Sequence, residues 1–315
     1  MRKPIRLKGV NKQIIWGGKR LAEEYGKGTP GESIAESWEL TCRPDGINTV
    51  ASGKYNGRSF EEYIKENPSH VSGSFDGGHF PLLIKLIDAE ADLSIQVHPD
   101  DAYAAEKGLD AGKTEMWYIV DAAPDAHIIY GLKEGVTPEQ VRSAIEAGTL
   151  EELMNYVPVK KGDCFFIPAG MVHAICHGIL IAEIQQNSNT TYRVYDYNRR
   201  QPDGSLRQLH VEDALAVLSR FDPNACVSKS DDQLIASCPF FNVIRIDLSE
   251  AEKATVQAGN SFVHLLCVEG SATMKQGLHT YEIKKGDSWF IPAGSATCKL
   301  TGDGTVIATT LGEQK

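Results

Sequence analysis

An eleven-residue stretch occurs twice in this chain of 315 residues. Lys160 to Gly170 reads KKGDCFFIPAG and Lys284 to Gly294 reads KKGDSWFIPAG, nine of eleven positions identical at an offset of 124 residues. Each copy starts in a Gly-Asp turn, runs through an aromatic segment of strand length and ends at Pro-Ala-Gly. A match of that density marks a duplicated β unit. The chain must therefore be built around two related β folds.

The surrounding pattern agrees. Short runs rich in Val, Ile, Phe and Tyr, punctuated by Gly, Pro and Asp, predict strands at 81–88, 93–98, 116–120, 164–167, 180–185, 192–197, 262–268 and 306–311. Helices interrupt them. Thr137-Pro138-Glu139-Gln140 reads as a capping box with proline at the first helical position, Thr149-Leu150-Glu151-Glu152 as a second box, and a third helix is expected over 211–218. The polar stretch from Asp222 to Gln233, broken by Pro223, is the expected domain junction. The class is mainly β, with a few short helices inserted in the first half.

Composition narrows the functions. The hydrophobic fraction is 42% and no apolar run is long enough to cross a bilayer, so no membrane partner is expected. A net charge of −10 argues against a nucleic-acid partner but not against a phosphorylated small molecule, because a few lysines in a pocket act locally. Seven cysteines without paired spacing fit reduced thiols, and no apolar stretch follows the first charges, so a cytoplasmic protein without a signal peptide is expected.

In the run Leu93-Ser94-Ile95-Gln96-Val97-His98, alternation puts Ser94, Gln96 and His98 on the face opposite Leu93, Ile95 and Val97. Lys113, Glu115 and Trp117 share a face in the same way. Alone, such polar faces are most often solvated. A third element changes that reading. Gly162, Pro168, Gly170 and His173 stand in the spacing G-x5-P-x-G-x2-H, which resembles the second signature of the cupin superfamily, small jelly-roll barrels that hold a metal in the mouth. The matching position of the second copy is Thr297, so one metal site is expected rather than two. Cupins generally offer His-x-His and then Glu; here Gln96 stands at the first histidine, followed by His98 and Glu115. Such a set resembles catalytic zinc sites and also the 2-His-1-carboxylate set of oxygen-activating iron, and spacing does not choose between them.

The stretches FPLLIKLIDAEADLSIQVHPDD, GKTEMWYIVDA, PAGMVHAI and NTTYRVYDYNR, with Trp16-Gly17-Gly18 and Glu36-Ser37-Trp38-Glu39, make the chain resemble the short bacterial type I mannose-6-phosphate isomerases (phosphomannose isomerases). The resemblance implies two cupin-type jelly-roll domains, a catalytic one over 1–230 with a small helical insert and a degenerate one over 231–315. It implies one zinc per chain on Gln96, His98, Glu115 and His173, with Arg193, Lys113 and Glu183 in catalysis and Ser94 and Lys85 near a phosphorylated hexose. The general base stays open among Glu183, Lys113 and a metal-bound hydroxide. Lys85 sits in an otherwise apolar run and is equally readable as a snorkelling lysine. Arg193, Tyr195 and Tyr197 share one strand face, opposite Tyr192, Val194 and Asp196, and His177 is expected to support the ligands or lie at the surface rather than to bind metal. Oligomeric state is not legible. Two other functions fit the same fold, a metal-dependent dioxygenase and a non-catalytic sugar-binding bicupin.

Overall fold

The two copies of the repeat fold alike, for the same local reason. In each, an aspartate folds back on the turn: Asp163 Oδ2 accepts the Lys160 N–H at 2.9 Å and Asp287 Oδ2 the Lys284 N–H at 3.0 Å. Gly162 and Gly286 take positive φ (92° and 87°) inside these turns. A four-residue strand follows in each, Cys164–Ile167 and Ser288–Ile291. The structure is a computed structural model that describes residues 2–201, 203–221 and 233–312. Residues 222–232, which carry most of the expected junction, lie outside the described residues.

The chain divides into two compact units, one of Met1–Lys12, Lys19–Leu86 and Ser228–Lys315, the other of Gln13–Gly18 and Ile87–Val227. The first holds a long antiparallel sheet in the order Leu234–Ser237, Phe241–Leu248, Cys298–Leu311, Val263–Gln276, Ser288–Ile291, Ile5–Lys8 and Thr49–Val50. Its core gathers Leu265, Met274, Trp289, Cys298 and Val306, apolar throughout. The second unit carries a five-stranded sheet in the order Met154–Pro158, His127–Leu132, His173–Ile175, Ile95–Val97 and Tyr192–Tyr195. Its other strands, Cys164–Ile167 and Ile179–Gln186, flank Glu115–Ala122 antiparallel on either side. Jelly-roll sandwiches of this mainly β kind match the cupin expectation.

Two helices cover the apolar face of the five-stranded sheet. Pro138–Ala147 starts at the expected capping box, with both reciprocal bonds between Thr137 and Gln140 present, and ends at Gly148 in the left-handed conformation. The helix Val211–Leu218 has the expected bounds. Together they bury Val141, Ala144, Leu215 and Val217 against Ile95, Val97, Ala174 and Val194. Each fully buried aliphatic side chain there contributes roughly 1.5–3 kcal/mol.

Three expectations need correction. Thr149 makes no side-chain cap bond, and Leu150–Leu153 is only a 3-10 turn. The chain has just left Gly148 in the left-handed region and must enter the strand Met154–Pro158, so no room exists for a second helix. The strand beginning at Tyr192 stops at Tyr195, because Tyr197 and Asn198 turn the chain at φ 54° and 51°. A register shift between Arg193 and Tyr195 also breaks the alternation, so Arg193 does not share a face with the tyrosines. Tyr195 and Tyr197 pack instead against the apolar cluster. The helix Phe60–Glu66 falls outside the expected elements, although Ser59 and Glu62 form a complete capping box. Among the described residues no helix is long and apolar enough to cross a membrane.

Candidate metal centre and surrounding site

Strand register brings three of the expected residues side by side. On adjacent strands of the five-stranded sheet, Gln96 pairs with His173 on one side and with Arg193 on the other. His98 follows directly after Ile95–Val97, and Glu115 opens its own strand in the second sheet layer. Gln185 pairs with Glu115 and Glu183 with Trp117, so Glu115, Trp117, Glu183 and Gln185 project from one sheet face.

The ligand atoms of His98, Glu115 and His173 all lie within 4.8 Å of one another, and all three residues are buried. His98 Nε2 is 3.5 Å from one carboxylate oxygen of Glu115 and His173 Nε2 is 3.4 Å from the other. Gln96 Nε2 lies 3.4 Å from His173 Nε2. Hydrogen bonds on the far side of each ring set the tautomers. His98 Nδ1 donates to the Thr190 carbonyl at 2.9 Å and His173 Nδ1 to the Met171 carbonyl at 2.8 Å. With Nδ1 protonated, both Nε2 lone pairs point inward, only 3.1 Å apart. Burial, more than any neighbour, pushes the His173 imidazole down to about 4, so the ring is neutral at pH 7. Two inward lone pairs and a carboxylate thus converge in one buried pocket, with the Lys113 ammonium at its side. The donor set therefore fits a divalent metal.

Positive groups stand beside this set. Lys113 Nζ lies 2.8 Å from Glu115 Oε2 and 3.0 Å from His98 Nε2. Arg193 Nε donates to Ser94 Oγ at 3.2 Å and its Nη1 to the Gln208 carbonyl at 2.8 Å. Burial, then the charge of Arg207, pulls the guanidinium below its ordinary value without discharging it. Glu183 is buried, and one of its oxygens accepts the Trp117 indole N–H at 3.0 Å.

Lys85 belongs to the first unit. It is 4% exposed and lies 3.4 Å from Glu36 Oε2, so it does not snorkel to solvent. Its ammonium stands 5.5 Å from the centre of the Trp38 ring, whose N–H binds the same Glu36 oxygen at 2.6 Å. His177 is half exposed and paired with Asp92 at 2.9 Å, a surface group as expected.

Sequence reasoning missed the carbonyls of Thr190 and Met171 and the glycine at 112, because backbone groups carry no side-chain signature. A Cβ on Gly112 would lie 2.5 Å from the Asp100 carbonyl carbon and the Asp101 nitrogen. Only a glycine lets the segment leading to Lys113 and Glu115 pass this close to the one following His98. The Lys113 N–H then bonds the Pro99 carbonyl at 2.8 Å.

Among the described residues the second copy offers no equivalent set. Glu115 pairs with Ile167 and Val263 with Ile291, so the strand pairing puts Val263 where the first copy has Glu115. Val263 belongs to the apolar core, and Thr297 is exposed.

Comparison with known proteins completes the description. The profile of the phosphomannose isomerase type I catalytic domain matches residues 5–128, and that of the mannose-6-phosphate isomerase cupin domain residues 231–311. The chain is 38% identical to a mannose-6-phosphate isomerase of Streptococcus mutans, covering 98% of each chain. It is 39% identical to the mannose-6-phosphate isomerase ManA of Bacillus subtilis, covering 95% of this chain and 96% of that one. The crystal structure of the mannose 6-phosphate isomerase from Bacillus subtilis superposes with a TM-score of 0.88 at 36% identity, covering 98% of this chain and 99% of that one.

Proposed function

The chain belongs to the type I phosphomannose isomerase family, and on that premise we propose that it interconverts mannose 6-phosphate and fructose 6-phosphate. The reaction moves a proton between C2 and C1 and passes through an enediol. The observation that carries this reading is the 38–39% identity to mannose-6-phosphate isomerases over 95–98% of the chain, and the buried His98, Glu115 and His173 donor set supports it. Gln96, His98, Glu115 and His173 are assigned to hold one zinc per chain. Bound there, zinc supplies fixed positive charge for the oxyanion that develops along the path.

The chain's own residues divide the remaining work. Arg193, fixed by Ser94 and the Gln208 carbonyl, adds a charge that cannot be lost by deprotonation. Glu183 is assigned to carry the proton, since a carboxylate accepts one without first giving one up, and Trp117 fixes its orientation. Lys113, its ammonium 2.8 Å from Glu115 Oε2, is assigned to hold charge beside the metal. Ser94 and Lys85 are assigned to the phosphorylated hexose, Glu36 orienting the Lys85 ammonium. Catalysis is placed in the segment 1–230, and the copy in 231–315 is read as degenerate. The thiols of Cys42, Cys176, Cys267 and Cys298, free in the structure, support a reducing, cytoplasmic setting.

The test is isomerisation of mannose 6-phosphate by the purified chain before chelation, after chelation and after zinc is restored. Loss with chelator and recovery with zinc are expected. A zinc-loaded protein without turnover sinks the isomerase reading, and oxygen consumption with restored iron would replace it by the dioxygenase.

A further inference from the structure

The first unit carries a cleft of about 680 Å³ built from residues the isomerase reading leaves unused. Its walls come from residues 2–5 and 52–55 with Tyr63, Asn67, His70, His279 and Tyr281. A volume of this size suits a small organic ligand. The lining is cationic: Arg2, Lys3 and Lys54 contribute to it, and Glu66 beside Lys54 is engaged by Arg58 at 2.6 Å, although the chain holds 42 acidic against 32 basic residues. Such a local reversal of sign selects an anion.

The walls are also ordered. The Arg2 guanidinium donates to the Ser69 carbonyl and hydroxyl, both at 3.0 Å, and to the Ala293 carbonyl. Tyr63 and His70 Nδ1 are 2.8 Å apart; with the hydroxyl as donor, Nε2 carries the ring proton and is a donor itself. Burial, then the charges of Arg2 and Lys54, pushes His70 down to about 4, so it acts as a neutral donor. Tyr55 meets Tyr63 edge to face at 4.9 Å and carries Lys54 Nζ 4.5 Å from its ring centre. Tyr281 stands on Trp289 at 5.4 Å. Cations interleaved with flat aromatic faces are the footprint of a ligand joining a phosphate to a planar ring. Inorganic phosphate or a sugar phosphate would use the cations and leave the tyrosines idle.

We infer that this cleft binds a mononucleotide, its phosphate against Arg2, Lys3 and Lys54 and its base packed against the Tyr55 and Tyr281 rings that line it. Calorimetric titration of the full chain with AMP tests it, with ribose 5-phosphate and inorganic phosphate as comparators. Saturable binding of one AMP per chain is expected, with both comparators at least about tenfold weaker. Lys54 is exposed, so Lys54→Glu keeps the fold, checked by circular dichroism, and should weaken AMP by about tenfold or more. Tyr55→Ala should weaken it several-fold, and Lys275→Glu, on an exposed strand position outside the cleft, should leave it unchanged. Three results would overturn the inference: no saturable AMP binding at millimolar concentration, AMP affinity unaltered by both cleft variants, or phosphate binding as tightly as AMP.

Discussion

His173 and His264 are both fully buried imidazoles, yet they are wired for opposite ends. His173 donates Nδ1–H to the Met171 carbonyl and turns its Nε2 lone pair toward His98 and Glu115. His264 spends Nε2–H on Ser288 Oγ at 2.8 Å, because that hydroxyl gives its own proton to the Glu39 carbonyl. Its Nδ1 has no hydrogen-bond partner among the described residues. His173→Ala should therefore abolish metal retention and turnover, whereas Thr297→Ala, at the exposed matching position, should change neither; metal analysis and the isomerase assay decide, and equal losses would refute a single site. His264 makes a different prediction. Burial, then the charge of Lys27, pushes it down to about 3, below the ordinary 6.5. The unfolded chain takes up this proton as pH falls through about 6.5 while the folded chain does not, so stability drops as the pH falls. The limiting slope is about 1.4 kcal/mol per pH unit. Urea unfolding at pH 7 and pH 5 should show wild type losing about 2 kcal/mol more than His264→Gln. Parallel losses would remove His264 from the account.

Among the elements, the segment from Gly112 to Glu115 decides whether the site assembles. Its close pass over Asp100 and Asp101 fixes Lys113 and Glu115 relative to His98, and the Thr114 N–H is held by Gln186 Oε1 at 2.9 Å. Gly112→Ala forces a side chain into backbone that cannot yield and should move the Glu115 carboxylate. A displacement near 1 Å costs about 10²-fold in turnover. A kinetic comparison at saturating zinc, with melting temperature as the control, checks this; unchanged turnover would show that the segment tolerates the shift. The alternation that made Gln96 and His98 legible in sequence is real, since Ile95 and Val97 are fully buried on the opposite side. The equivalence of Glu115 and Val263 was not legible. Adding the repeat offset to 115 lands on 239, yet pairing equates Glu115 with Val263. The first copy spaces Glu115 from its partner Ile167 by 52 residues and the second spaces Val263 from Ile291 by 28. The helix Pro138–Ala147 and its flanks fill that difference, so a shared motif cannot index strands that lie before an insertion. The bulge after Arg193 was hidden for another reason: YRVYDYN reads as unbroken alternation, and only the paired strand reveals the shift.

At the scale of the molecule, the second repeat copy leans on residues near the N-terminus for part of its sheet and core. Ile5–Lys8 is seated between Ser288–Ile291 and Thr49–Val50, which leaves Ile5 and Leu7 buried. Lys27 Nζ binds both the Gly286 carbonyl in the repeat turn and the Glu39 carboxylate, and the Tyr25 hydroxyl donates to the Val268 carbonyl at 3.1 Å. Gly286 accepts this contact only as glycine, since a Cβ there would lie 2.4 Å from the Tyr25 carbonyl oxygen. A fragment of residues 231–311, the stretch matched by the cupin-domain profile, would lose all of this. It would expose one edge of Ser288–Ile291, a row of unpaired N–H and C=O groups. It would also forfeit roughly 1.5–3 kcal/mol for each buried aliphatic side chain removed. Against a typical net stability of about 5–15 kcal/mol, losing Ile5, Leu7, Leu21, Leu40 and Val50 together leaves no margin. The fragment alone should therefore give a collapsed amide spectrum by nuclear magnetic resonance and aggregate, and co-expression with residues 1–86 should recover dispersed signals. A well-dispersed spectrum from 231–311 alone would show instead that the sheet is complete without its N-terminal strand.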